Sequence, residues 1–202
     1  DIAHIAGLIA GKALENPVPV FDIVTTTTHK TLRGPRGAII MSKAAFQKDL
    51  DRTVFPGIQG GPHDHVNAAK AVCFHEALQP SFQQYAKQVI RNAQALAGEL
   101  MARGYRILTD GTDNHLMVVD LRSKDLAGKA AEIALDKAGI SCSRSTIPFD
   151  TRKAMDPSGI RLGTPAVTTR GMGEAESKQI AAFIDEALMK ASDDAALAKI
   201  RG

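Results

Sequence analysis

Lys30 is the residue whose neighbours best equip it for covalent chemistry. A lysine is ordinarily a solvated point charge, but a desolvated amine becomes a nucleophile that can form a Schiff base with a carbonyl compound. Lys30 follows four threonines and His29 at the end of a β-branched run, and it precedes Thr31-Leu32-Arg33-Gly34-Pro35-Arg36-Gly37. Turn formers and functional side chains crowd together there, at a strand end, where α/β proteins place their chemistry.

The elements flanking this segment follow from local pattern. Residues 18–27 and 37–42 are rich in β-branched and apolar residues and read as short buried strands. The link of roughly ten residues between them is too short for a crossover helix, so the pair is predicted to be antiparallel. Ile2, Ile5, Leu8 and Ile9 recur at helical spacing, which predicts a helix after Asp1 with His4 in its first turn. Residues 64–78 lack Gly and Pro and predict a second helix, with Val66, Ala69, Val72, Cys73 and Leu78 on one face. Pro80 interrupts. A longer helix is predicted over 81–103, stopped by Gly104, and these two helices are read as the bridge between domains. Beyond it, strands are predicted at 105–109, 115–121, 140–143 and 160–163, with helices at 129–138 and from 174 to 188 or beyond. The organisation predicted is α/β, with residues 1–80 in one domain and 81–202 in a small C-terminal one.

Composition excludes several classes. The chain has 202 residues, 44% hydrophobic and 23% charged, the balance of an ordinary globular protein. Twenty-five Lys plus Arg against 22 Asp plus Glu leave a charge of +3, and no run of like charges offers a nucleic-acid or membrane surface. No apolar stretch approaches the roughly 18 residues of a membrane-spanning helix. Cys73 and Cys142 form no CxxC pair and have no metal-ligand spacing, which predicts a reducing compartment, the cytoplasm, and no metal site. The chain opens on Asp1 rather than Met, and a fragment of a longer protein is expected.

The run Thr25-Thr26-Thr27-Thr28-His29-Lys30-Thr31-Leu32-Arg33-Gly34-Pro35-Arg36-Gly37, with Asp1-Ile2-Ala3-His4 upstream, closely resembles serine hydroxymethyltransferases. The stretches 55–62, 111–116 and 158–165 resemble the same family in order and approximate spacing. The resemblance covers essentially the whole chain, as the C-terminal half of a protein about twice as long. It implies a pyridoxal 5'-phosphate enzyme of the aspartate-aminotransferase fold type. On that reading residues 1–80 belong to the large, mostly parallel-sheet cofactor domain.

The resemblance also implies roles. Lys30 and His29 are the catalytic pair, Lys30 being the amine that links to the cofactor. Asp1 is the carboxylate that keeps the pyridine nitrogen protonated, for which proximity of opposite charge suffices. His4 and Thr27 line the cofactor, and Gly60 and Gly61 offer backbone N–H groups to its phosphate across a homodimer interface. Arg161 clamps the carboxylate of the amino-acid substrate, where a planar bidentate donor suits better than lysine, and Arg36 also contacts substrate. Read alone, Asp1 is a helix cap, the threonines a strand, Arg36 a surface charge and the two glycines a turn.

The implied reaction transfers the hydroxymethyl group of L-serine to tetrahydrofolate, leaving glycine and 5,10-methylenetetrahydrofolate. One departure bears on the folate. Before Pro148 the family carries an Asn-Lys-Asn-like run, whereas this chain reads Ser143-Arg144-Ser145-Thr146-Ile147. Ser145 offers a hydroxyl where an amide would contact the pterin, so a folate-independent aldolase or an α-methylserine-type hydroxymethyltransferase is an alternative. A noncatalytic piece that serves only packing or dimerisation is another.

Overall fold

The computed structural model describes residues 1–202, which divide into two compact units, Asp1–Lys87 and Gln88–Gly202. In the first, α1 (Ala6–Ala10) is followed by β1 (Ile23–Thr27), β2 (Ala38–Ser42), a short 3-10 turn and α2 (Gln47–Arg52). A wide turn at Thr53–Ile58 leads to α3 (Asp64–Ala77), and α4 (Pro80–Ala102) begins here and continues past the boundary.

The strands β1 and β2 pair antiparallel from Ile23↔Ser42 to Thr27↔Ala38, as the short link dictates. Along β1 the side chains alternate, with Val24, Thr26 and then Thr28 buried and Thr25 and Thr27 turned to the other face. The reading of both strands as buried fails for β2, none of whose residues is fully buried and whose Ile40 is 46% exposed. One face of β2 is only half covered, at Ile39 and Met41, and the other face, with Ala38, Ile40 and Ser42, is exposed. The extended run also starts later than residue 18, because Pro17 and Pro19 frame a turn closed by Val20 N–H donating to the Pro17 carbonyl.

The helix predicted directly after Asp1 starts only at Ala6, so His4 lies in the preceding turn. Residues 1–3 run beside β1 instead: Ile2 N–H donates to the Thr25 carbonyl at 2.8 Å, and only from Ile5 onward do amides bond within the turn. Pro80, read as an interruption, is the first residue of α4, a position whose N–H has no intrahelical partner in any case. On α3 only Cys73 and Ala77 are buried, while Val72 and, just past its end, Leu78 are exposed.

The second unit has a four-stranded sheet ordered β3-β4-β6-β5, built from Arg106–Ile107, Leu116–Asp120, Gly159–Gly163 and Ser143–Ser145, antiparallel throughout. It carries α5 (Gly128–Lys137), α6 (Pro165–Thr169), α7 (Glu174–Met189) and α8 (Asp194–Arg201). Its core joins Leu100, Ile107, Val119, Leu135, Ile160 and Ile184, all essentially inaccessible. Neither sheet contains a parallel pair.

Two strands differ from the pattern reading. The one predicted at 105–109 stops at Ile107, because Thr109 and Asp110 adopt positive φ and break the ladder. The one predicted at 140–143 forms at 143–145. Gly139, at φ 79°, closes α5, and Ile140 N–H is spent on the Leu135 carbonyl rather than on a sheet. No helix of the protein is long and apolar enough to cross a membrane.

Candidate active site

The connection between β1 and β2 is pinned along its backbone, while the Lys30 amine is left unpaired. Thr28 N–H donates to the Gly37 carbonyl at 3.0 Å, Thr28 Oγ1 donates to the Pro35 carbonyl at 2.6 Å, and the Thr28 carbonyl accepts from Gly34 N–H at 2.7 Å. Thr31 Oγ1 donates to the His4 carbonyl at 2.8 Å and accepts from Gly7 N–H at 2.9 Å, which ties α1 to the loop. Cys73 Sγ donates to the Leu32 carbonyl. A Cβ on Gly34 would lie 2.7 Å from both Cys73 Sγ and the Thr28 carbonyl, so only glycine fits beneath α3. Net contributions of about 1 kcal/mol per buried hydrogen bond make this loop rigid rather than strongly stabilising. The half-buried Lys30 side chain emerges from it with no hydrogen bond or ion pair for its amine.

Asp1 is fixed beside β1. Its Oδ1 accepts from Ala3 N–H at 2.8 Å and its Oδ2 from Thr25 Oγ1 at 2.9 Å. Thr27, on the same face as Thr25, donates to the Ala3 carbonyl at 3.4 Å. His4 contributes its carbonyl to Thr31. The start of the chain, the outer threonines of β1 and the Lys30 loop are thus one hydrogen-bonded assembly. His29 is half-buried; its Nδ1 is inaccessible and has no partner in the chain, while its Nε2 lies 3.5 Å from the Arg36 guanidinium.

Gly60 and Gly61 are not part of this assembly; they lie exposed between the wide turn and α3, with nothing within 4 Å of a Cβ placed on either. Arg161 belongs to the second unit. It sits on β6 in register with Val118 of β4 and Ser143 of β5, exposed on the face opposite the buried Ile160 and Leu162, with no partner for its guanidinium. Ser145 lies opposite Gly159 on the neighbouring strand.

Sequence reasoning missed three residues that shape these loops. Thr31 and Gly7 are a buried polar group and the glycine that docks on it; an isolated glycine inside an apolar helical pattern was the available signal. The third, Asp150, organises the approach to β6. Its carboxylate accepts from the N–H groups of Ser158, Arg152 and Ile147 and from Ser158 Oγ. Those bonds, led by the Ser158 and Arg152 amides, hold its carboxyl well below the usual carboxylate range.

A folded-state value below the unfolded one contributes stability that is full above about pH 5 and drains away as pH falls through the carboxylate range toward the depressed value. Hydrogen exchange over 147–158 is therefore expected to lose protection on acidification in the parent protein. Asp150→Asn should start less protected at neutral pH and respond little to acid; equal acid responses in the two would refute this role.

Comparison with known proteins gives the family of the chain. The serine hydroxymethyltransferase family model matches residues 1–184, and the chain belongs to that family. The protein named serine hydroxymethyltransferase in Acidothermus cellulolyticus is 58% identical over 202 residues, covering 99% of this chain and 47% of the relative. That of Myxococcus xanthus is 57% identical, covering 100% and 48%, and that of Sorangium cellulosum 53% identical, covering 99% and 47%. The chain spans about half the length of the curated relatives it matches.

Proposed function

We propose that the whole protein transfers the hydroxymethyl group of L-serine to tetrahydrofolate with pyridoxal 5'-phosphate as cofactor, giving glycine and 5,10-methylenetetrahydrofolate. The observation that carries this reading is Lys30: an unpaired amine on a loop fixed from both sides, in a chain of this family. The residues fit the cofactor. His29 Nδ1 is a buried ring nitrogen without a partner, and the Asp1 carboxylate is already oriented by Thr25 and Ala3.

Bound here, pyridoxal phosphate would supply an electron sink for the pair released when a bond to the substrate Cα breaks. The Lys30 amine would hold its aldehyde carbon, and Asp1 would keep a proton on its ring nitrogen by charge proximity. His4 and Thr27 would line it, and His29 would contact it through the ring left unpaired at Nδ1. Gly60 and Gly61, open on all sides within this chain, are suited to meet the phosphate of a second subunit in a homodimer with shared active sites. Arg161, with Arg36, would orient the substrate carboxylate.

In domain terms, we place residues 1–80 in the large cofactor domain of the aspartate-aminotransferase fold type and 81–202 in the small domain, in a cytoplasmic enzyme. A folate-independent aldolase rests on Ser145 alone. Comparing serine cleavage with and without tetrahydrofolate separates the two: folate dependence supports transfer.

Borohydride reduction of the full-length protein with its cofactor, followed by peptide mass mapping, is expected to leave a pyridoxyl group on Lys30. Lys30→Ala should abolish that label. Labelling of another lysine, with Lys30 unmodified, would overturn the assignment.

A further inference from the structure

Arg33 has a backbone that its residue type disfavours. Its φ is +61°, in the left-handed region where glycine is the low-cost choice, and a glycine does follow immediately at 34. Its N–H donates to the Lys30 carbonyl at 2.9 Å, closing the turn in which Lys30 is the first residue. The side chain accounts for arginine at this position. Its guanidinium carbon lies 4.2 Å from the centre of the Tyr85 ring and 5.3 Å from that of Phe82, two rings on α4 that are themselves 5.4 Å apart and buried. Arg33 is exposed on its outer side, so the guanidinium roofs the aromatic pair while staying in contact with water.

On either side the loop is fastened by other means: Thr31 to Gly7 of α1 and to the His4 carbonyl, Leu32 to Cys73 and Gly34 to Thr28. The bond that acts on the Lys30 main chain from the C-terminal side is the one from Arg33, and a left-handed residue reverts to ordinary backbone unless its surroundings hold it.

We propose that Arg33 is a positioning residue for Lys30: its stack on Phe82 and Tyr85 holds the left-handed turn that fixes the Lys30 carbonyl, and hence the base from which the amine projects. This rests on Lys30 being the cofactor-linking amine, but the restraint itself can be measured without cofactor.

The test uses the full-length protein and three forms: parent, Arg33→Gly and Arg33→Lys. Glycine removes the stack while relieving the backbone; lysine retains a cation over the rings and the backbone cost. The first readout is amide-exchange protection of residues 29–34 in the cofactor-free protein, corrected for intrinsic rates. Arg33→Gly should lower it by about 5-fold, the factor a partly exposed cation–π contact supplies, and Arg33→Lys should lie nearer the parent. The second is the rate at which added pyridoxal phosphate is trapped on Lys30 by borohydride, which should fall in Arg33→Gly and recover in Arg33→Lys, with melting temperature unchanged. Protection and trapping in Arg33→Gly equal to or above the parent would overturn the proposal, because backbone geometry alone would then suffice. No recovery in Arg33→Lys would overturn it too. Failure of the parent to label at Lys30 would instead overturn the functional reading, leaving the exchange result to decide on Arg33.

Discussion

Gly7→Ala is expected to cost the first unit about 3 kcal/mol or more, the upper range for forcing atoms into a packed interior. A Cβ on Gly7 would overlap the Thr31 carbonyl group and lie 2.6 Å from Leu32 N. These are backbone atoms, and backbone held by its neighbours cannot rotate aside as a side chain does. The clash falls where Gly7 N–H donates to Thr31 Oγ1, so relief by moving α1 away also breaks that bond and the one from Thr31 to the His4 carbonyl. A fall in melting temperature and fast exchange over 2–10 and 28–34 in the full-length protein are the expected signs. A variant that melts with the parent would show that α1 is not seated on the loop as described.

Arg161→Ala should leave the fold intact and weaken binding of serine or glycine. The side chain projects from the face of β6 opposite Ile160 and Leu162, which the second unit buries, and it supports nothing within the chain. Truncating one partner of a charge-assisted bidentate pair costs about 2 to 5 kcal/mol when it is desolvated, so affinity should fall roughly 30- to 5,000-fold. Arg161→Lys should recover only part of this, since an ammonium cannot match the planar fork. Equilibrium titration of the whole protein with amino acid checks it, with retention of cofactor as the control. Unchanged affinity would remove Arg161 from the substrate site.

Much of this architecture could be read from local pattern, and the exceptions have identifiable causes. The antiparallel pairing of β1 and β2 follows from a link too short for anything else, and α4 and α7 follow from helical periodicity, because these signals need only near neighbours in sequence. Boundaries set by long-range contacts were not legible. The first residues form a tether along β1 because Asp1 and Ile2 find partners on Thr25, 24 and 23 positions away. The start of β5 beyond Ile140 has a local cause: that amide is spent on the Leu135 carbonyl in closing α5, and residue pattern alone does not choose between a strand and a helix end there. At the site, Lys30 and His29 stood out through their residue types and company. Thr31, Gly7 and Asp150 did not, since a threonine after a lysine, a glycine in a helical pattern and an aspartate in a loop acquire meaning only from what folds against them.

The four threonines of β1 and its loop have a genetic consequence. In-frame loss of any one codon of Thr25–Thr28 yields the same polypeptide, so four distinct mutations converge on a single protein. That protein keeps every residue type of the segment, yet it has an odd shift in a structure of period two. If strand pairing upstream holds, His29 enters the buried slot from which Thr28 bonds to Pro35, and Lys30 is drawn back by about 3.3 Å, the rise of one residue. If the loop holds instead, Val24 takes the place of Thr25, leaving Asp1 without its hydroxyl partner. A repeat whose members are chemically interchangeable is therefore intolerant of any change in their number.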